Sequence, residues 1–525
     1  MSATHRNQIL VLDFGSQYTQ LIARRIRELG FFSFVMSGNV SLDQIKAFNP
    51  SAVILSGGPD SVYEEGAIRF CDGFLAYQEE KKFPLLGICY GLQLIVQCFG
   101  GEVKKARTRE YGRMSIVPNG DSEFFSWNKT QAPFEVWMSH GDETIRLPEG
   151  FKVGARSAVG GISEIENRDR RIYAVQFHPE VTHTEFSAGI FNHFLTDIAK
   201  LTSDWNMSNF IEKTVPAIQQ IVGEKNHVVC ALSGGVDSTV AATLVHQAIG
   251  ARLHCVFVDT GLMRFEEGNR VMKMFTEQLK LPVTRINAQA RFLEKLKDIS
   301  DPETKRKIIG TEFISIFDEQ ADEIELKLGE HPKFLVQGTL YPDVIESGGL
   351  HNKTIKSHHN VGGLPKNMRF ELLEPLRDLF KDEVREMGVK LGIPSEFIAR
   401  HPFPGPGLAI RVIGEITEER LSILRQADEI FIEMIREADL YDKIWQAFAA
   451  FLPIRSVGVQ GDSRTHDYVI ALRAVTSVDG MTADWYHFES KFLARVSARI
   501  CNEVKGVSRV VYDISSKPPA TIEWE

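Results

Sequence analysis

The chain has little cysteine. Its six cysteines, at 71, 89, 98, 230, 255 and 501 of 525 residues, include no C-x-x-C pair, which argues against structural zinc and thioredoxin-like redox chemistry. So few thiols over such a length predict reduced, intracellular cysteines. Long hydrophobic runs are also missing. The most apolar stretch, 85–99, is broken by Gly91, Gln93 and Gln97 and is too short to span a bilayer. The opening MSATHRNQILVLDFGSQ carries no signal-peptide apolar region or cleavage site. The expectation is a cytoplasmic protein with no membrane partner. Positive charge is in deficit, with 60 Lys and Arg against 69 Asp and Glu and a formal net charge of −9. That weighs against nucleic acid as a partner, because phosphate backbones recruit basic faces. It still admits a local basic pocket for a small anion. No internal repeat or low-complexity tract is present.

What is present suits a globular protein. Hydrophobic residues make up 43% and charged residues 25%, so core size is not limiting. The length predicts about three or four domains. Short apolar runs alternate with helical patterns over the first part: QILVLDFG, SAVILSGG and PLLGIC read as strands, and 16–30 and 90–100 as helices. FKVGARS, GISEIEN and RIYAVQFHPE read as further strands. A second alternating unit starts near Trp205, with strands HVVCAL, RLHCVFVDTG and PKFLVQGT. Residues 299–310 look charged and irregular, a candidate mobile segment, and 353–365 read as loop. HPFPGPGLAI (401–410) opens a third unit, with a helix near 416–438 and strands RSVGVQG, DYVIALRAV and SRVVYDIS. The expected fold class is α/β: two doubly wound parallel-sheet domains, 1–205 and 206–400, and a C-terminal α+β domain, 401–525.

LLGICYGLQ places Cys89 between a buried strand and a helix. A thiolate there meets the positive end of the helix, which favours the reactive form. VQFHPE supplies His178 as a base and Glu180 to orient it. From spacing alone, Cys89 reads equally well as a small core residue, the common fate of free cysteine. GICYGLQ, QFHPE and the preceding LSGGPDSV together resemble class I glutamine amidotransferases over about residues 8–200. The resemblance implies Cys89 as nucleophile, His178 as base and Glu180 as its orienter. It also implies a flavodoxin-like sheet and an oxyanion hole from the N–H groups of Gly58 and Tyr90. Gln93 and the segment Ser139, His140, Gly141 and Asp142 would hold L-glutamine. Cys98 is expected in the core.

CALSGGVDSTV (230–240) is a glycine loop between a strand and a helix, the setting that binds phosphate. A Walker loop carries Lys before its Ser/Thr, and here Asp237 stands in that place. Lone glycine loops are also common as structural turns. Ser-Gly-Gly-x-Asp-Ser is narrower, and resembles the pyrophosphate loop of N-type ATP pyrophosphatases, with their adenine-nucleotide alpha-hydrolase-like fold. The resemblance implies ATP held by Ser233, Gly234, Gly235, Val236, Asp237, Ser238 and Thr239, cleaved between its α and β phosphates. Asp237 would hold Mg²⁺, a hard cation suited to carboxylate and phosphate oxygen. Lys381 and Lys356 are candidates for the phosphates, and Arg306 and Lys307 for the same from the irregular segment. Each of these also reads as a solvated surface charge.

The acceptor is carried by GTLYPDVIES, HPFPGPGLAIR, VGVQGDSRTHDY and KPPATIEWE. With the other motifs they resemble the glutamine-hydrolysing GMP synthetase family over essentially the whole chain. That implies XMP as the acceptor, with Arg264, Gln460, Asp462, Lys517, Glu523 and the Pro404–Gly407 loop near it, and a homodimer through the last domain. Pro518, Pro519, Ile522 and Trp524 make the tail apolar and stiff, so docking is expected over fraying. Other readings stay open: a glutamine-dependent NAD synthetase, a tRNA-modifying enzyme with the same loop, or a regulatory nucleotide binder without turnover.

Overall fold

A computed structural model describes residues 7–346, 370–460, 463–477 and 482–525. The chain divides into two compact units, Ser2–Phe210 and Ile211–Glu525. In the first, nine strands form one sheet: Gln8–Asp13 (β1), Phe32–Ser37 (β2), Ala52–Leu55 (β3), Leu85–Ile88 (β4), Glu102–Pro118 (β5), Phe134–Arg146 (β6), Lys152–Ser157 (β7), Ile162–Asn167 (β8) and Ile172–Val175 (β9). Their order is β2-β1-β3-β4-β9-β8-β7-β5-β6. The first five in that order run parallel. AVIL, LLGI and IYAV are wholly buried, as strands covered on both faces must be. This parallel part has the flavodoxin-like order, whose switch point lies between β1 and β3.

The remaining four strands extend the sheet antiparallel. Residues 134–144 of β6 alternate buried and half-buried, the period-two pattern of a strand with one covered face. Hydrophobic runs do not foresee the long β5–β6 ribbon, because KKARTREYGR contains no apolar cluster.

The second unit holds two sheets. Val228–Leu232 (β10), Leu253–Asp259 (β11), Val283–Asn287 (β12), Phe334–Val336 (β13) and Glu371–Leu373 (β14) make a wholly parallel sheet in the order β12-β11-β10-β13-β14. Winding reverses between β10 and β13, so a ligand crevice is expected at their carboxyl ends. The other sheet joins Gln446–Gln460 (β15), Ser463–Thr476 (β16), Asp484–Trp485 (β17) and Val507–Tyr512 (β18). There β16 pairs antiparallel with β15 and β17 and parallel with β18. The helices Glu418–Glu437 and Ser490–Glu503 pack on each other and on this sheet. One apolar core runs from Val229, Val256 and Phe292 beside the first sheet to Phe431, Phe451, Ile470 and Val496 beside the other.

Residues 299–301 are irregular, as expected, but the stretch from Pro302 on is not. Pro302–Leu328 is a single long helix whose N-cap, Asp301, accepts the Thr304 N–H at 2.7 Å. Asp-Pro is a strong start signal, since Pro at the first helical position forgoes only an N–H that has no partner there. The charge pattern misleads because Lys305 is buried. Cys98 is exposed, not in the core, at the last position of its helix. The 353–365 loop and Lys356 lie outside the described residues.

Phe431 is fully buried in the core shared by both sheets of the second unit. Phe431→Ala is expected to destabilise that unit by about 4 kcal/mol, read as a lowered denaturant midpoint. Because one core serves both sheets, far-UV signal and a probe placed on the helix Val236–Ile249 should shift together. Two separated transitions would show that the cores are independent.

Candidate active sites

Cys89 ends β4 and precedes the helix Tyr90–Cys98. Its backbone sits at φ 51° and ψ −102°, which costs energy and persists only where the surroundings impose it. Two hydrogen bonds pin the turn. Cys89 N–H donates to the Val175 carbonyl at 2.7 Å, and Gly91 N–H to the Ser56 carbonyl at 3.1 Å. The thiol is buried and faces the Ser139 carbonyl at 3.8 Å, while Gln176 Nε2 donates to Sγ at 3.7 Å. His178 feels the same sulfur, and its Nδ1 meets Glu180 Oε1 at 2.7 Å. Burial alone would push His178 down. The Glu180 carboxylate and the Cys89 sulfur outweigh that and carry it up to about 11. With the Glu180 carboxylate against Nδ1, the imidazole favours its protonated form and is placed to give a proton to a leaving group.

The predicted oxyanion donors lie beside this turn. A Cβ on Gly58 would come within 2.8 Å of the Phe14 carbonyl and 3.1 Å of the Tyr90 ring, so only glycine fits there. Among the described residues, neither the Gly58 nor the Tyr90 N–H donates a hydrogen bond. The predicted glutamine-holding residues are mostly engaged with one another. Gln93 Nε2 donates to the Asp142 carbonyl (3.3 Å) and to Gln176 Oε1 (3.4 Å). His140 is buried between Glu110 (3.0 Å) and the Asp142 carbonyl (2.9 Å) and is committed to holding the strand. Gly141 lies near the Tyr111 hydroxyl. The Asp142 carboxylate accepts from Ser61 Oγ (2.5 Å) and Tyr63 OH (2.8 Å). Gln176, Ser61, Tyr63 and Glu110 escape the sequence reading. Gln176, two residues before His178 within VQFHPE, and Ser61, within LSGGPDSV, carry a signal.

In the second unit the glycine loop follows β10, at the switch point. Gly234 takes φ +77°, which a side chain would resist, and Gly235 caps the helix Val236–Ile249. Ser233 Oγ and Ser238 Oγ lie 3.0 Å apart. Thr239 is fully buried and donates to the Gly235 carbonyl at 2.7 Å, so it braces the turn. Lys381, from the helix Lys381–Lys390, reaches Asp237 Oδ2 at 3.6 Å. Asp237 Oδ1 is buried with no hydrogen-bond partner. Burial raises the Asp237 pKa, Lys381 opposes this, and Asp343 adds to it. A carboxylate oxygen left unpaired beside a phosphate-type loop fits Mg²⁺. Among the described residues no cluster of three His, Cys, Asp or Glu could hold a metal. A cation here would therefore rest on Asp237 and on phosphate oxygens.

The acceptor-side residues are placed unevenly. The Pro-Gly run packs on the strand end after β11, where Leu408 N–H donates to the Leu262 carbonyl at 2.7 Å. Arg264 is tied to Asp428 (3.3 Å) and to the Ala447 carbonyl (3.0 Å), with its guanidinium 5.4 Å from the Phe403 ring. Glu523 is held bidentately by Arg411 at 3.1 and 2.8 Å. Lys517 exchanges backbone hydrogen bonds with Ala483. Arg306 turns to the Glu525 carbonyl at 2.6 Å, not to the loop. Gln460 ends β15, but its side chain, like Asp462, lies outside what is described. A cavity of about 810 Å³ opens beside Arg264, with Arg400, His401 and Phe403 in its wall. Arg400 also reaches the Gly234 carbonyl at 3.5 Å, which puts the cavity next to the loop.

Comparison with known proteins matches three family models. They are glutamine amidotransferase class-I over residues 10–198, NAD synthase over 207–308, and GMP synthase C terminal domain over 433–524. Relatives named GMP synthase [glutamine-hydrolyzing] include one from Pelodictyon phaeoclathratiforme, 55% identical over 524 residues and covering 98% of this chain and 99% of its own. Another, from Carboxydothermus hydrogenoformans, is 54% identical over 520 residues, covering 99% and 100%. A third, from Brachyspira hyodysenteriae, is 53% identical over 522 residues, covering 99% of each.

Replacing Glu180 by Gln removes the charge that holds the imidazolium. The His178 midpoint is expected to fall by about two pH units, read from its ring-proton resonances. An unmoved midpoint would assign the effect to Cys89 alone. The sign for stability follows. His178 is raised above its ordinary 6.5, so its stabilisation is full below about pH 6.5 and is lost as pH rises through about 11.

Proposed function

The chain belongs to the glutamine-hydrolysing GMP synthase family, and from that premise we propose how its residues share the reaction. Glutamine is hydrolysed to glutamate and ammonia. ATP adenylates the C2 oxygen of XMP, pyrophosphate leaves, and ammonia displaces AMP to give GMP. The observation that carries the division of labour is that two chemistries occupy two separate compact units. Cys89, His178 and Glu180 lie in Ser2–Phe210, and the 233–239 loop lies in Ile211–Glu525.

Cys89 Sγ attacks the carboxamide carbon of glutamine. The oxyanion takes the N–H groups of Gly58 and Tyr90, each such donor being worth about 3 kcal/mol in comparable sites. As the C–N bond breaks, His178 gives its proton and ammonia leaves. A glutamyl thioester remains. His178 then takes a proton from water, which attacks the thioester and releases glutamate. Glu180 keeps Nδ1 protonated throughout. Gln93 and residues 139–142 shape the pocket through the backbone and through Asp142.

On the other unit, Ser233–Thr239 cradle the β and γ phosphates, with Lys381 and Lys356 adding charge. Asp237 would hold Mg²⁺, which would supply charge neutralisation to the phosphates. The leaving group is pyrophosphate, so the loop stabilises a departing anion. XMP sits toward Arg264, the 404–407 loop, Gln460, Asp462, Lys517 and Glu523, and the cavity beside Arg264 offers a volume in the range of small-ligand sites. The NAD synthase match covers the nucleotide-handling segment that both families use, and the match over 433–524 favours XMP as acceptor. We divide the chain functionally at 1–205, 206–400 and 401–525. A homodimer through the last part is supported by Ile454, Val457 and Val459, exposed along β15 at 60%, 55% and 73%. A cytoplasmic setting is supported by six free cysteines.

Cys89→Ala is expected to abolish GMP formation from glutamine and to leave the rate with added ammonia within about twofold of wild type. Loss of both would break the modular assignment. ADP among the products in place of AMP would overturn the reading of the loop. Asp237→Asn is expected to lower the ammonia-driven rate at least about a hundredfold and to raise the Mg²⁺ needed for half-maximal rate. An unchanged Mg²⁺ dependence would remove Asp237 from the metal.

A further inference from the structure

Among the described residues of the second unit, three cations have fully buried side chains: Lys305, Arg411 and Arg473. A buried charge is costly unless it is paired, and all three find their partners on one segment, 513–525, with help from nearby carbonyls. Lys305 Nζ donates to the Ala409 (3.2 Å) and Val412 (2.8 Å) carbonyls and to the Glu525 carboxylate. Arg411 grips Glu523 bidentately and lies 4.2 Å from the Phe448 ring centre and 5.1 Å from that of Phe403. Arg473 donates to the Ile522, Ser515 and Thr521 carbonyls and pairs with Asp513 at 2.9 Å. Gly414 N–H closes on Glu525 Oε1 at 3.1 Å, and Gln446 Nε2 on Glu523 Oε1 at 2.6 Å.

Replacing buried ion pairs by apolar residues of similar volume is often neutral or stabilising. Stability alone is therefore a poor reason for three of them along one segment. Placement is a better one. Lys305 belongs to the helix Pro302–Leu328, which packs on β11 of the nucleotide-handling sheet. Arg411 follows the Pro-Gly run, and Arg473 lies on β16. Each cation thus fixes 513–525 to a different element, and Phe403 lies between the guanidiniums of Arg411 and of Arg264.

We propose that Lys305, Arg411 and Arg473 are positioning residues for XMP, holding 513–525 so that Lys517 and Glu523 meet the acceptor nucleotide in register with the adenylating sheet. The inference rests on the reading that Lys517 and Glu523 contact XMP. Glu523 presents carboxylate oxygens, already gripped by Arg411, so it takes N–H or O–H donors of the nucleotide and not its phosphate. Lys517 supplies the positive charge that suits the phosphate.

Ammonia-driven GMP formation tests this, with XMP and ATP varied separately and melting temperature followed. Glu525→Gln and Arg411→Lys should each raise the KM for XMP about tenfold or more while the KM for ATP stays within about twofold. The double variant Lys305→Met/Glu525→Gln removes both charges together. It should melt near wild type and keep the raised KM for XMP. It carries the test if a single variant fails to fold. Recovery of that KM together with melting temperature, or a parallel rise in both KM values, would reduce the cations to structural pairs and overturn the proposal. Lys517→Ala and Glu523→Gln serve as the reference. If neither changes the KM for XMP, the underlying reading fails. If both raise it and the Glu525 and Arg411 variants do not, only the positioning proposal fails.

Discussion

A parallel strand that runs straight into a helix leaves the first N–H groups of that helix without backbone partners. Both reactive centres of this chain are built on that single constraint. Cys89 stands where β4 meets the helix Tyr90–Cys98, and Ser233–Gly235 where β10 meets the helix Val236–Ile249. The unpaired donors and the helix dipole favour negative charge at each point. In the reaction proposed for the first unit that charge is the oxyanion formed on the substrate. In the second it is pyrophosphate. The two turns differ in what the backbone must do. At Cys89 a non-glycine residue is forced to positive φ, and bonds from neighbouring strands hold it there. At Gly234 the same hand of backbone is adopted by glycine, so no strain is needed and the loop can follow the anion closely.

Electrostatics then separates the two sites. The thiol site is buried: Glu180 is fully buried and its charge acts on His178 with little screening. That is why a ring whose burial should lower its pKa ends far above its ordinary value. The phosphate site is more open and holds a carboxylate that its protein neighbours only partly balance. One centre is complete without its substrate. The other has an oxygen waiting for a cation. The first needs its proton inventory fixed beforehand, and the second needs room for a ligand that brings its own counter-ion.

Local motifs were legible because their chemistry is contiguous. LLGICYGLQ, QFHPE and LSGGVDST each show strand, turn and reactive residue within a few positions, and the structure places them as read. The parallel strands were legible because burial on both faces writes a continuous apolar run. Legibility failed where meaning depended on distant partners. Lys305 looks like a solvated charge in a run of charges, and only the fold shows that Glu525 and two carbonyls enclose it. Ser61 and Tyr63 are ordinary loop residues until β6 brings Asp142 to them. The β5–β6 ribbon is hidden because its alternation mixes charge with aliphatic stems and offers no apolar run. His140 sits within a segment that did mark the site, yet its side chain serves Glu110. A motif locates a place in the fold better than it assigns each side chain in it.

The substitution of Asp237 for a loop lysine illustrates the same point in energetic terms. A lysine on the loop would sit beside the β and γ phosphates in every turnover and would suit an enzyme that releases only the γ group. Here the cation comes from the helix Lys381–Lys390 and meets Asp237 at 3.6 Å. The pair is partly exposed, so its own contribution to stability is small, and little is lost when phosphate oxygens replace the carboxylate as the partner of Lys381. In the proposed reaction Asp237 would then be available to the cation that arrives with ATP. An exchange of partners of this kind would keep the empty loop from carrying an unbalanced charge and would still deliver positive charge to a departing pyrophosphate. The lysine has been moved to another element of the fold, where a linear reading of the loop cannot find it.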